Sequence, residues 1–363
     1  MSTVASKRAT LVLAAVGCAG GAFFLNHLGL EALSRWLETR RNCYLWAQDG
    51  ARQIVTPTYY PTDGQNRIML CGSSEAREAF LPDILDDRLP GFRAFQNSYP
   101  SSTLTDQLIL LEYIERVYGP SAMPKAVVMG ITTRFIANLR QEGTFPLFTG
   151  INRYSPFLKV EQTEGVPKLV PKTAWQSLRS RTAHLLHQTL RYRSALTGAR
   201  WAILVSMRPE LVSDRRLKMG LSHARFIYDE PADHGTIKRF LLYGVNFWVV
   251  HSWEVSLDRE RIRREVSELL SILRRHNIHL YVVNMPELSH NRALYKPGVY
   301  GAYLETVREA FDETPFLDLR LSIPDQEFND TTHTTLAGSI KVSERVAEFI
   351  KNHHSGVDRG RVH

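Results

Sequence analysis

From residue 66 onward, short apolar runs alternate with longer segments whose apolar residues recur every three or four positions. The runs 67–71, 92–97, 126–130, 279–285 and 316–319 are short and apolar, as strands buried in a sheet are. Between them, 103–117 carries Leu104, Leu108, Leu111 and Ile114 at helical spacing. The segment 257–276 repeats the pattern with Ile262, Val266, Leu269, Leu270 and Leu273, while Arg and Glu fill its other face. A last helix over about 336–351 places Leu336, Ile340, Ala347 and Ile350 inward. This alternation predicts a three-layer α/β sandwich: a central, mostly parallel sheet of about five strands with helices on both faces.

The ends of the chain and its middle depart from that rhythm. An uncharged apolar run, 9–25, follows Lys7 and Arg8; it approaches the ~20 residues a spanning helix needs. Residues 1–30 are therefore expected to be an N-terminal membrane helix with the rest of the chain outside the cytoplasm, although Arg35, Arg40 and Arg41 weaken the charge asymmetry. A cleaved signal is the rival, but no small-x-small site follows the run. A lipoprotein reading of Cys18 meets an apolar stretch that continues past it, and a buried helix of a soluble protein is the remaining alternative. Residues 31–66 read as a helical stalk, with Leu33, Trp36 and Leu37 on one face, and a linker broken by Pro57, Pro61 and Gly64. The domain proper is expected over 67–354, with a frayed tail at 355–363. A long insertion, about 134–253, contains a basic helical stretch at 185–204 and an apolar patch at 247–250.

Composition narrows the class without choosing a substrate. A content of 44% hydrophobic and 23% charged residues is that of a globular protein. The formal charge of +8 suits an anionic partner such as lipid headgroups or an acidic glycan. Arginines cluster at 179–200, yet no nucleic-acid-binding module accompanies them, so no nucleic acid is expected. Cys18, Cys43 and Cys71 lack metal-binding spacing, as do His251, His276, His279 and His290, and no metal or cofactor is implied. Cys71, inside an apolar run, reads as a buried structural thiol.

The candidate chemistry sits at strand ends. Residues 68–76, Ile-Met-Leu-Cys-Gly-Ser-Ser-Glu-Ala, run from a buried strand through Gly72-Ser73-Ser74 into a helix. In an open parallel sheet the carboxyl ends of the strands face the binding crevice, which would expose Ser74 there. Backbone N–H groups at the start of the following helix could face a developing oxyanion. A plain helix cap explains Gly-Ser-Ser equally well when it is taken alone. After the last strand, however, stands Asp330-Thr331-Thr332-His333. A serine hydroxyl becomes a nucleophile when a neutral imidazole accepts its proton, and that imidazole needs an acceptor on its other nitrogen. Asp330 and His333, three residues apart in a turn, can supply both roles, although a capping Asp and a surface His would look the same in isolation. Asn284, followed by Met285-Pro286-Glu287, could line an acyl pocket, where a plain turn is the alternative.

These blocks resemble the SGNH hydrolases, whose first block ends a strand in Gly-x-Ser and whose last is Asp-x-x-His. The variant Gly72-Ser73-Ser74-Glu75, with an N-terminal apolar run, looks most like the extracytoplasmic branch that includes teichoic-acid D-alanyl transfer and alginate acetylation proteins. The resemblance spans roughly 67–350, interrupted by the insertion. It implies Ser74 as nucleophile, His333 as general base and then acid, and Asp330 as the residue orienting His333. The family's oxyanion donors, a Gly after the second strand and an Asn after the third, are absent; Ser98 and Thr132 stand near those places. The function expected is a membrane-anchored esterase or O-acyltransferase acting on an acylated surface glycan or envelope polymer, a transferase requiring a membrane acyltransferase partner. The alternative is a non-catalytic surface protein of the same fold that binds glycan or scaffolds an acylation complex.

Overall fold

The computed structural model describes residues 66–99, 102–137, 151–152, 155–163, 166–183 and 257–359. All but residues 181–183 of these fall in one compact unit. The expected membrane helix and stalk, Cys18, Cys43, His251, the 185–204 stretch and the 247–250 patch lie outside the described residues. No helix among the described residues is long and apolar enough to cross a membrane.

Along the chain run β1 (Arg67–Cys71), α1 (Ser74–Ala79), α2 (Pro82–Arg88), β2 (Arg93–Gln96), α3 (Leu104–Tyr118), β3 (Ala126–Ile131) and α4 (Thr133–Ala137). After these come β4 (Leu158–Thr163), β5 (Val166–Pro171), α5 (Arg259–Arg275), β6 (His279–Asn284), α6 (Ser289–Ala293) and α7 (Val299–Ala310). The chain closes with β7 (Phe316–Asp318) and α8 (Leu336–Arg359). Five strands form one sheet in the order β2-β1-β3-β6-β7, parallel throughout. The strand order reverses between β1 and β3, which is where ligands bind in open sheets of this kind. Register aligns the carboxyl ends: Cys71 pairs with Met129, Ile131 with Asn284, and Asn284 with Asp318.

Because side chains alternate across a strand, each central strand feeds two cores. Met69, Cys71, Val127, Met129, Leu280 and Val282 pack beneath α3, α5 and α7. Ile68, Leu70, Val128, Tyr281 and Val283 pack on the opposite face, against α1, α2 and α8. The expected apolar stripe of α3 is buried in full, and that of α5 except for the half-buried Leu270. In α8 the expectation shifts: Leu336 and Ile340 are half-buried, and Val342, Val346, Ala347 and Ile350 fill the core. That helix also continues to Arg359, through the first residues of the expected tail, since no proline interrupts it.

Part of the segment expected as an insertion joins the domain. Its first residues form α4, and β4 pairs antiparallel with β5 as a hairpin. Leu158, Val160 and Leu169 enter the core beneath α3. The hydroxyl of Tyr113 donates to Ser155 (2.9 Å), and Arg116 donates to the Leu169 carbonyl (2.8 Å).

The turn from β1 into α1 is the tightest place in the sheet. Gly72 has φ +143°, and a Cβ there would lie 2.5 Å from the Ala76 Cβ and 2.7 Å from the Gly130 carbonyl oxygen. At Gly130 a Cβ would meet Ala76, Met285 and Phe80. Two glycines therefore let α1 sit on the ends of β1 and β3. Gly72→Ala is expected to lower unfolding free energy by roughly 1–3 kcal/mol or more, combining overpacking with backbone strain. In α7, where a Cβ at exposed Gly301 meets nothing, Gly301→Ala should instead stabilise by about 0.5–1 kcal/mol. Urea denaturation of the two variants would check both signs.

Candidate active site

Asp330 and His333 stand on a loop pinched shut at its base. Phe328 and Thr334 form an antiparallel bridge, the Asn329 amide donates to the His333 carbonyl (2.9 Å), and the Thr335 amide donates to the Glu327 carbonyl (2.8 Å). Buried Phe328 anchors the loop, and the Asn291 side-chain amide from α6 donates to the Thr331 carbonyl. Gly338 permits the close approach of α8, since a Cβ there would lie 2.8 Å from the Glu327 carbonyl oxygen.

Inside this loop Asp330 Oδ1 accepts the amides of Thr332 and His333, both at 2.7 Å. That leaves Asp330 Oδ2 to meet His333 Nδ1, also at 2.7 Å. The side chain of His333 is 26% exposed, yet its Nε2 is buried and has no hydrogen-bond partner among the described residues. Burial disfavours charge on the imidazole, but the Asp330 carboxylate, its hydrogen bond and the nearby Glu75 and Glu78 outweigh it, and the pKa rises to about 9. Burial likewise opposes ionisation of Asp330, while His333 and the loop amides hold its carboxyl below the usual range.

Ser74 opens α1 at the carboxyl end of β1 and is half-buried. Its Oγ does not reach His333 as a hydrogen-bond donor; it donates to Glu75 Oε2 at 3.3 Å. The Ser73 hydroxyl donates to the same oxygen. Burial works against a charged Glu75, but Arg134, His333 and the Ser73 bond hold its carboxyl below the usual range. Glu75, Arg134, His333 and Asp330 thus form a charge cluster in which each ion has an opposite neighbour, the condition under which buried charges persist.

The other expected site residues divide. Ser98 is buried, with its hydroxyl donated to the Leu70 carbonyl (3.2 Å) and its amide to Gln96 Oε1 (3.3 Å). Serving an oxyanion would require it to give up one of these. Thr132 lines a pocket at the strand ends, and its Oγ1 accepts the Phe135 amide (3.2 Å), capping α4. Asn284, Met285, Pro286 and Glu287 line the same pocket. Asn284 is spoken for: it donates to Tyr300 (2.7 Å) and Asp318 (2.8 Å) and accepts from Tyr303 (2.9 Å). Burial pushes the Tyr300 phenol up to about 12, so it stays protonated. Cys71 is fully buried and burial raises its thiol pKa, consistent with a structural thiol. His276 pairs with Glu115 (2.8 Å), away from the pocket.

Several pocket residues have no motif to announce them. Arg320 stacks 3.2 Å from the Tyr300 ring centre and pairs with Glu287 (2.8 Å), whose other oxygen accepts the Tyr295 hydroxyl (2.5 Å). Thr133 meets Tyr295 at 2.9 Å. Glu75 and Arg134 line this pocket too. Only Glu75 had a signal in the sequence, its place directly after the two serines.

Comparison with known proteins adds little to this geometry. A family model matches residues 257–355, a stretch that holds Asp330 and His333 but not Ser74, and that is under half the chain. No curated protein matches it. The chain is similar to the crystal structure of a candidate acylhydrolase from Bacteroides fragilis NCTC 9343, at 11% identity, over 86% of this chain and 97% of that one, with a TM-score of 0.36. At that score the likeness carries nothing about activity.

The Asp330–His333 pair has a definite pH signature. Because the folded pKa of His333 lies above its unfolded value, its contribution to stability is full below about pH 6.5 and is lost as pH rises through about 9. The depressed Asp330 pKa works in the opposite sense, contributing above about pH 3.9 and lost as pH falls through its folded value. Nitrogen-15 NMR of the imidazole should show His333 titrating near 9 in the wild type and well below that in Asp330→Asn.

Proposed function

We propose that the chain is a serine acyl-transfer enzyme, an esterase or O-acyltransferase, with Ser74 as nucleophile and His333 oriented by Asp330. The observation that carries this reading is the 2.7 Å bond from Asp330 Oδ2 to His333 Nδ1, with the buried Nε2 left without a partner among the described residues. Such a ring has its tautomer fixed and its second nitrogen available to a hydroxyl. Glu75 and Glu78 of α1, the helix that begins at Ser74, lie within electrostatic reach of it, which supports the pairing of ring and serine.

In the reaction, Ser74 turns from Glu75 toward His333. Its Oγ attacks the ester carbonyl carbon as the hydroxyl proton passes to Nε2, and Asp330 stabilises the imidazolium that results. The tetrahedral intermediate expels the alcohol, which takes the proton from Nε2, and an acyl ester remains on Ser74. Water or a sugar hydroxyl then loses its proton to Nε2 and attacks that ester. The bond from the acyl carbon to Oγ breaks to release the acid or the new ester, and Ser74 Oγ takes the proton back from Nε2. The Ser74 amide, first in its helix and without an intrahelical acceptor, suits an oxyanion donor. An acylated surface glycan is the proposed substrate, membrane tethering by residues 1–30 the proposed setting, and a membrane acyltransferase the proposed donor if the second nucleophile is a sugar.

One observation favours the rival, a non-catalytic binding protein: the resting Ser74 hydroxyl is bonded to Glu75 and not to His333. A fluorophosphonate probe distinguishes them. The full-length protein should label with a rate that climbs with pH as His333 loses its proton, with a midpoint near pH 9. Ser74→Ala should abolish labelling, and His333→Ala should slow it on the order of 10³-fold or more. A folded wild type that takes no label would favour the binding protein.

A further inference from the structure

Glu75 is a buried carboxylate that the acyl-transfer chemistry leaves without a role, yet it holds both serine hydroxyls of the β1–α1 turn. The same residue lines the pocket at the ends of β3 and β6. Its Oε2 is the acceptor to which Ser74 donates, while the acceptor that Ser74 needs for catalysis, His333 Nε2, stands empty among the described residues. A hydroxyl carries one proton and can donate to one of these two sites at a time. Once His333 has lost its proton, Ser74 therefore has two competing acceptors, and the structure shows its hydroxyl on the carboxylate.

Resting on the acyl-transfer reading above, we propose that Glu75 is a positioning residue that restrains Ser74 in the free enzyme, holding its hydroxyl on the carboxylate and away from His333. A charged acceptor holds a hydroxyl more firmly than a neutral one does. The restraint is also placed where substrate can lift it. Glu75 and Asn291 both line the pocket, and buried Asn291 has an Oδ1 with no hydrogen-bond partner among the described residues, so hydroxyl donors of a bound polyol meet acceptors there. A donor that engages the Glu75 carboxylate competes directly with Ser74 for it.

Charge gives Glu75 a second, separable effect. The ionisable groups facing His333 are Asp330 on its own loop and Glu75 and Glu78 on α1. Glu78 is paired to Arg77 at 2.5 Å, and Glu75 faces Arg134 from α4. Removing the Glu75 charge takes away one of the carboxylates that favour the imidazolium, so His333 should lose its proton at lower pH.

The test is the rate of fluorophosphonate labelling against pH for the full-length wild type, Glu75→Gln and Glu75→Leu, with folding checked by circular dichroism. Leucine accepts no hydrogen bond, which guards against the glutamine amide oxygen taking the carboxylate's place. Both variants should label about tenfold faster than wild type at neutral pH, with the midpoint of the pH profile moved down. A carboxylate that acts on His333 through its charge alone would move that midpoint without raising the rate reached above it, and that result would overturn the restraint on Ser74. Ser74-dependent labelling of the wild type with no gain and no shift in the variants would overturn the role of Glu75 alone. Silence of the wild type and both variants would overturn it together with the acyl-transfer reading.

Discussion

The close packing of α1 on the ends of β1 and β3 governs everything else in this site. Gly72 and Gly130 allow the Ala76 side chain nearer to the sheet than any other residue pair would permit. That approach sets Ser73, Ser74 and Glu75 at the reversal of strand order, where the sheet opens its crevice. The opposite wall comes from the other end of the chain: the loop carrying Asp330 and His333 is closed by its own backbone bonds and fixed by Phe328 and Gly338 against α8. α8 also packs with α1 and α2, and Ser343 bonds the backbone of both Ala79 and Leu81. Serine and histidine are thus held by one core although they are far apart in sequence.

Electrostatics decides how that geometry rests. Ionised groups at low exposure persist only when opposite charges and hydrogen bonds surround them. Here two acids and two bases, Glu75 with Arg134 and Asp330 with His333, satisfy that condition together. The arrangement keeps the imidazole protonated at neutral pH, and a protonated ring cannot accept the Ser74 proton. The same charges that stabilise the folded site would therefore hold back the proposed chemistry, a compromise expected where function and stability share residues.

Much of this was legible in the sequence because it depends on local pattern. The five strands were placed within a residue or so, and the three central ones, buried on both faces, read as nearly unbroken apolar runs. Asp330 and His333 were legible because a turn brings residues three apart together. Ser98 was not: its position after β2 suggested a donor for the oxyanion, but its bonds run to Leu70 and Gln96, partners that only tertiary structure supplies. The pocket wall of Tyr295, Tyr300 and Arg320 was equally hidden, because stacking and ion pairs leave no periodicity. The β4–β5 hairpin went unread inside a segment treated as inserted, and its apolar residues are core only because α3 packs against them.

The central claim is that Ser74, not its neighbour Ser73, attacks under the control of His333. A crystal structure of the protein after reaction with a fluorophosphonate addresses it most directly. The account predicts a phosphonyl group on Ser74 Oγ, with the adduct in hydrogen-bond reach of His333 Nε2 and released from Glu75. An adduct on Ser73, or one on Ser74 that leaves His333 Nε2 without a partner, would contradict it.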